Sequence, residues 1–381
     1  MAAVGITFLV VVVIVTALAF DFTNGFHDTA NAMATSIATG ALKPKVAVAI
    51  AGVLNLVGAF ISTEVAKTIS GGIVDDAKVT PAIIFGGLVG AILWNLVTWL
   101  IGLPSSSSHA LFGGLIGAVW IASGSGAVHF DKVVEKILVP AVASPFVCGV
   151  VALLATFAAY KITTRARRKS VDRGFKYGQT VSASMVALAH GTGDAQKTMG
   201  IITLLLITAG ELDEGAGPPV WVILAAGLSI AAGTYVGGWR IIRTMGKGLT
   251  DIETPQGFAA ETASTAVLLT SAHLGFALST TQVCSGGILG AGLGRRLAEV
   301  RWSVAGRMAL AWLFTLPVAA VIGGLSGKLA SSGNAGTLLV AIVAVVLVAG
   351  IYLYSRRSPV TAHNVNDAPT VAQREPALAG V

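Results

Sequence analysis

The sequence predicts an all-α polytopic membrane protein built from two inverted-topology repeats, and three observations carry that expectation. Hydrophobic residues make up 54% of the chain and charged residues 11%, with a mean hydropathy of +0.81, whereas a soluble domain carries about 25% charged residues. Apolar stretches at 4–20, 46–63, 82–103, 138–160, 219–238, 257–278, 304–327 and 336–354 each approach the ~20 residues that a helix needs to cross the hydrocarbon core. One polar motif is also said twice in this apolar setting. Asn-Gly-Phe-His-Asp-Thr-Ala-Asn-Ala-Met at 24–33 answers His-Gly-Thr-Gly-Asp-Ala-Gln-Lys-Thr-Met at 190–199.

A shift of 166 residues superposes Asp28 on Asp194, Gly25 on Gly191 and Met33 on Met199. Further landmarks follow in the same order at nearly the same shift: Lys67-Thr68 with Arg243-Thr244, the hydroxyl run 106–109 with 279–282, and Pro145 with Pro317. The predicted organisation is a first transmembrane repeat at 1–160, a basic cytoplasmic linker at 161–176, a second repeat at 177–354 and a disordered polar tail at 355–381. The first apolar stretch runs into the motif with no small-residue cleavage site, so it reads as a retained span and not as a signal peptide. About ten to twelve membrane elements are expected. The segments 21–42, 104–122, 177–208 and 279–294 each admit a full span, a broken helix or a re-entrant hairpin, and broken backbone at membrane depth has to line protein or water.

Lys and Arg in short loops mark the cytoplasmic side. The basic loops lie at 43–45, 161–173, 240–247 and 295–301. Their counterparts are poor in basic residues: 43–45 maps onto the acidic 211–214, 295–301 onto 123–132, and the central loop onto 328–334. Equivalent loops therefore prefer opposite sides, as inverted repeats require. Lys67 weakens this contrast in one loop pair. Cys148 and Cys284 occupy non-equivalent positions in apolar surroundings and imply neither a disulfide framework nor a metal site.

Asn24, His27, Asp28 and Asn31 recur at i, i+3, i+4 and i+7, so a helix gathers them on one face. A carboxylate at membrane depth is costly and points to function, although interhelical hydrogen bonding alone would also use such a stripe. In the second copy His190 replaces Asn24 and Lys197 replaces Asn31. An ammonium can take the place of a bound cation beside Asp194, which makes sodium coupling there less expected than proton coupling, since His27, His190, Asp28 and Asp194 can all titrate. A fixed neutralising pair is the other reading of Lys197. Ser105, Ser106, Ser107 and Ser108 after Pro104, and Ser279, Thr280 and Thr281, each precede a Gly pair. Such runs suit helix starts whose N–H groups and hydroxyls converge on an anion. Glu261 is a further buried candidate for gating or proton transfer, whereas Glu64 beside Lys67 reads as solvated or paired.

The doubled motif, both hydroxyl hairpins and the run Arg301-Trp302 through Ala311-Trp312 to Pro317 resemble the inorganic phosphate transporter (PiT, or PHO-4) family over residues from about 10 to 350. The resemblance implies a phosphate permease of the cell membrane with its substrate near the bilayer midplane. It matches Asp28, Asn31 and Asp194 to the family's cation and phosphate site, and Ser106, Ser107 and Ser108 with Ser279, Thr280 and Thr281 to its phosphate-cradling hairpins. Beside the resemblance, Ser105, Thr29 and Gln196 are expected among the phosphate ligands, and Asn24, His27, His190, Lys197 and Glu261 with Asp28 and Asp194 in ion coupling. The sodium-dependent branch carries Asn-Asp-x-x-Asn in both copies, whereas this chain has His27-Asp28 with Asn31, and Gly193-Asp194 with Lys197. The likeness is therefore to the proton-linked members, which accept phosphate partly as a neutral complex with a divalent metal; no resident cofactor is implied. Gln282 stands where the first hairpin has His109, against a symmetric proton role for that position.

Other functions fit less well. Gly191-Thr192-Gly193-Asp194 matches Gly-x-Gly-Asp of intramembrane aspartyl proteases, but such chemistry needs two carboxylates sharing a proton, and Lys197 one turn away holds Asp194 ionised. Ser108 and His109 are adjacent and do not face each other as a catalytic pair. Sulfate is the closer rival substrate, yet it can only accept hydrogen bonds, whereas phosphate can donate one to a carboxylate. No nucleotide motif supports direct ATP drive. The expected partners are phosphate and lipid, with no nucleic acid and with a homodimer left open.

Overall fold

The computed structural model describes residues 8–295 and 300–367. The described residues are 80% helical, and besides two short 3-10 turns at Asp76–Lys78 and Ser125–Ala127 they form thirteen helices when segments joined without a break count as one. The first six are α1 (Phe8–Ala38), α2 (Pro44–Gly58), α3 (Glu64–Gly72), α4 (Pro81–Leu100), α5 (Ser107–Ser123) and α6 (Phe130–Thr163). The next six are α7 (Arg168–Thr208), α8 (Val220–Val236), α9 (Trp239–Gly248), α10 (Thr254–His273), α11 (Thr280–Leu293) and α12 (Trp302–Ala330), and α13 (Asn334–Ser355) follows them. Each helix of the first set has its counterpart six places later. Even the irregular features are doubled. Gly40 and Gly210 turn the chain with φ of 71° and 75°, Gly102 and Gly275 with φ of 68° and 73°. Isolated bridges join Val74 to Val128 and Thr250 to Val300.

Packing between the sets is reciprocal. α1 packs on α8 as α7 packs on α2, and α5 packs on α12 as α11 packs on α6. Glycines permit these crossings: a Cβ on Gly25 would strike the backbone of Ile230, and one on the equivalent Gly191 would strike the backbone of Asn55. Gly113 against Leu316 and Gly286 against Pro145 repeat the device. Small residues of this kind let membrane helices approach closely. The two motif helices run antiparallel, since contacts that move forward along α1 move backward along α7. Asn24 meets Asp194, Asp28 meets His190, and Thr39 meets Gln179. Equivalent helices pointing opposite ways are what an inverted repeat predicts.

The four ambiguous segments resolve into two kinds. Residues 21–38 continue α1 without a break, and 177–208 belong to the 41-residue α7. Nothing interrupts α1 because it lacks proline and its Thr16, Thr23 and Thr29 hydroxyls bond back to carbonyls one turn earlier. The hydroxyl segments differ. α5 has 17 residues and α11 has 14, short of the ~20 that span a bilayer, so both begin inside the protein. Among the described residues five helices are long and apolar enough to cross a membrane, and α8 with α9 makes a sixth, bent by 60°. α7 falls outside that set because its motif and basic residues dilute its apolar length, and α10 because Gln256, Glu261 and its Ser and Thr residues do. Leu313, Phe146 and Val345 on α12, α6 and α13 are two-thirds exposed or more, as faces turned to lipid would be.

One expectation needs correction. The sequence reads as a polar tail disordered from 355, yet residues 356–367 fold back over the end of the bundle that carries Arg240 and Arg243. Arg240 donates to the carbonyls of Ser355 and Ser358, Arg243 binds the Asn364 carbonyl, Asn366 reaches the Ile37 carbonyl, and Val365 is buried. Half-buried guanidinium donors facing free carbonyls account for the order. Residues 368–381 lie outside the described residues.

Candidate functional site

Asp28 and Asp194 lie at the centre, 1% and 2% exposed, where the antiparallel α1 and α7 cross the starts of α5 and α11. Each short helix is capped by a serine. Ser106 accepts from the His109 N–H and Ser279 from the Gln282 N–H, so both N-termini are fixed and aimed into the protein. An N-terminus of this kind attracts anions through its free N–H groups and dipole.

The next hydroxyls meet the carboxylates. Ser107 donates to Asp28 Oδ1 at 3.1 Å and Thr281 to the same oxygen at 3.4 Å. Thr280 donates to Asp194 Oδ1 at 3.0 Å. Asn31 holds Thr281 from behind, its Nδ2 lying 3.0 Å from the hydroxyl. Each hairpin thus serves both motifs, and the two repeats share one site.

Lys197 stands where the first copy has Asn31 and brings a full positive charge to the second motif. Its ammonium spends all three protons, on Asp194 Oδ1 at 2.6 Å, Ser108 Oγ at 2.6 Å and the Leu278 carbonyl at 3.1 Å. Buried ion pairs persist when the geometry satisfies both partners in this way. The ammonium sits where a cation would sit, and it occupies Asp194 in a manner unsuited to a proton-sharing acid pair.

His27 bonds Asp28 Oδ1 through Nδ1 at 2.7 Å, while its Nε2 faces Ser105 and Thr98 at 3.3 and 3.4 Å. His190 is oriented by groups the sequence did not single out. Thr234 donates to the Gly25 carbonyl at 3.3 Å and so accepts from Asn55 Nδ2 at 2.7 Å. That turns Asn55 Oδ1 to His190 Nδ1 at 3.1 Å, which must carry the proton. Nε2 of neutral His190 is then a bare acceptor, 3.5 Å from Asp194 Oδ2 and 3.9 Å from Asp28 Oδ2. Asp28, His190 and Asp194 each offer a ligand atom within 4.8 Å of the others. Two carboxylates and an imidazole suit a divalent cation.

Other predicted residues stand apart from this centre. Gln196 caps α3, its Oε1 accepting from the Val65 and Ala66 N–H groups, and Thr29 bonds the Gly25 and Thr234 carbonyls. Ser105 faces Thr98 and His27, and Ser106 and Ser279 are spent as caps. Glu261 lies on α10 away from this centre, where Thr35, Ser182 and Gln179 donate to it at 2.5, 2.5 and 3.2 Å. A cavity of about 970 Å³ lined by Thr39, Arg168, Glu253 and Arg295 opens beyond it. Glu64 pairs with Lys67 at 2.9 Å on the surface. Asn55, Thr98, Thr234 and the buried Asp21 were missed, since nothing in their local sequence sets them apart from helix-packing residues.

The phosphate transporter family model (PHO4) matches residues 24–323. A protein of Mycobacterium bovis named "Probable low-affinity inorganic phosphate transporter" is 54% identical over 94% of this chain and 87% of its own length. A protein of the same name from Bacillus subtilis is 40% identical over 84% of this chain and 96% of its own. Among solved structures, "The sodium-dependent phosphate transporter" matches with a TM-score of 0.69 at 22% identity, over 84% of this chain and 98% of that one. That last likeness is one of fold.

Proposed function

Because the chain belongs to the phosphate transporter family, we propose that it is a secondary carrier that brings inorganic phosphate across the cell membrane by proton symport and alternating access. The observation that carries the reading is the shared centre. Two carboxylates on antiparallel motif helices are bridged by hydroxyls from two short helices that start inside the protein. Without substrate the hydroxyls of Ser107, Thr280 and Thr281 donate to Asp28 and Asp194. Phosphate entering between the helix starts takes over those donors and returns its own proton to a carboxylate. Sulfate has no proton to return at neutral pH, so it would face Asp28 as a bare anion.

Neutral donors hold the anion while leaving it free to depart, which a ring of arginines would not. Phosphate can arrive as a complex with a divalent metal, and Asp28, His190 and Asp194 are the residues that would receive the metal. Thr35, Gln179, Ser182 and Glu261 lie between the centre and the cytoplasmic cavity, and their network serves as the inner gate. Rocking of one repeat against the other would open it.

Phosphate uptake into proteoliposomes tests the reading. Uptake driven by an inward proton gradient, aided by Mg²⁺ and indifferent to excess sulfate, is the expected result. A requirement for sodium would overturn the coupling, and loss of phosphate uptake to sulfate would overturn the substrate.

A further inference from the structure

Building on that reading of the chain as a phosphate carrier, we propose that Asp21 is the proton-carrying residue, coupled to the substrate centre through the amide of Asn24. Asp21 lies on α1 one turn before Asn24 and is 0% exposed. Neither carboxylate oxygen makes a hydrogen bond of good geometry, although Thr198 on α7 and Asn24 lie close enough to interact with the carboxylate, and Oδ1 of Asn24 and the hydroxyl of Thr198 share that condition. Among these four buried oxygens the Thr198 hydroxyl carries the one hydrogen, an arrangement that a protein interior rarely leaves unanswered. One proton answers it. A protonated Asp21 donates to Asn24 Oδ1 and accepts from the Thr198 hydroxyl, and all of these groups gain partners.

The Asn24 amide links this place to the substrate centre. Its Nδ2 donates to Asp194 Oδ2 at 3.4 Å, which commits the nitrogen to Asp194 and leaves Oδ1 for Asp21. When Asp21 gives up its proton, the amide nitrogen becomes the nearest donor for the bare carboxylate. Turning it releases Asp194 Oδ2. The protonation state of Asp21 is thereby read at the carboxylate that Lys197 and Thr280 also hold.

Charged groups facing Asp21 come from α7 alone, as Asp194 and Lys197. The flanking α4 and α8 carry no Asp, Glu, Lys, Arg or His, and the arginines of α9 lie at the cytoplasmic end with the tail. The nearby ammonium of Lys197 argues for a proton over a metal cation here, because a second full positive charge would be repelled. The device is also confined to one copy. The position equivalent to Asp21 is Ala187, and the one equivalent to Thr198 is Ala32.

The test uses the full-length protein in proteoliposomes with radiolabelled inorganic phosphate, comparing phosphate–phosphate exchange with net uptake under an inward proton gradient. Asp21→Asn locks a neutral, donating side chain in place. It is expected to retain exchange while proton-driven uptake falls by at least about fivefold, the lower end of coupling between sites. Asp21→Glu should restore the uptake. Concentrative proton-driven uptake by Asp21→Asn overturns the proposal, as does loss of exchange in a variant that is inserted and monodisperse, which would make Asp21 structural. A sodium gradient that drives the wild type and fails to drive Asp21→Asn overturns the proton in favour of sodium. If Asp21→Asn does not insert, Thr198→Val carries the test through a shifted pH midpoint of uptake, and a superimposable profile overturns it. Failure of wild-type exchange would instead refute the carrier reading beneath it.

Discussion

Replacing Lys197 by methionine keeps the length of the side chain and removes its charge. The ammonium donates to Asp194, Ser108 and the Leu278 carbonyl, and it is 1% exposed. Methionine leaves Asp194 as a buried carboxylate supported only by Thr280 and Asn24. Breaking a buried pair from one side costs about 3–5 kcal/mol, and at about 1.4 kcal/mol per tenfold the folded population drops by roughly two to three and a half orders of magnitude relative to the unfolded. Equilibrium unfolding in mixed micelles, followed by tryptophan fluorescence, reads this directly. Adding Asp194→Asn to Lys197→Met removes the stranded charge, so the double variant is expected to be more stable than Lys197→Met alone. A Lys197→Met protein as stable as the wild type, or a double variant less stable than that single variant, refutes the argument. The related Lys197→Asn variant tests the ammonium as a stand-in cation, with phosphate uptake becoming sensitive to sodium. Uptake with unchanged ion dependence would show that Lys197 is only a fixed partner.

Asp28→Asn is expected to abolish phosphate uptake while the protein still inserts, because the amide cannot take the proton that phosphate offers; normal uptake would sink the site assignment. Asn55→Leu removes the acceptor that orients His190 and is expected to raise the phosphate KM by about tenfold, the worth of one hydrogen bond of roughly 1.4 kcal/mol. An unchanged KM would mean that the ring is set by packing alone. Glu261→Leu strands the donors of Thr35, Gln179 and Ser182, at about 1–3 kcal/mol for each buried group left unpaired, and its unfolding midpoint in mixed micelles should fall accordingly. Gly191→Val drives a side chain into the backbone of Asn55, so the protein is expected to lose its monodisperse peak on size exclusion. A normal peak would show that the α2–α7 crossing can separate without harm.

The repeat was legible because helices at equivalent places had to keep equivalent turns and crossings. Gly25 and Gly191, or Pro145 and Pro317, are retained where backbone meets backbone. The hydroxyl runs were legible as helix starts because Ser106 and Ser279 cap them. Which hydroxyl faces the substrate was not legible. Ser105 to Ser108 read alike as letters, but a helix start turns each by about 100° from the next, and α5 sends them to four different partners. Thr29 and Gln196 sit beside the key carboxylates in sequence and still point elsewhere, for the same reason. Asp21 escaped notice because its neighbours are apolar and its partners belong to one residue a turn away and another 177 positions further on. Contacts of that range are set by the packing of α1 on α7, which no local pattern records.

The unequal divergence of the two copies has a physical consequence for coupling. With Asp28 and Asp194 ionised and Lys197 charged, the buried centre holds two negative charges and one positive, within reach of a further carboxylate at Asp21. Phosphate carries one or two more negative charges into this place, where isolated buried charge is heavily penalised. An anion alone should therefore be rejected. A proton on Asp21 removes one unit of the excess, and a divalent metal at Asp28, His190 and Asp194 removes two. Either companion makes entry favourable, and its departure makes release favourable in turn. On this count phosphate is expected to travel with positive charge, and Lys197, read as the occupant of one cation position, would limit how many companions can travel. Lys197→Asn should accordingly raise the number of positive charges moved with each phosphate, a change read as a larger inward current per labelled phosphate in proteoliposomes clamped by a potassium–valinomycin potential. An unchanged ratio would mean that the vacated position takes up no cation, and the charge argument would fail.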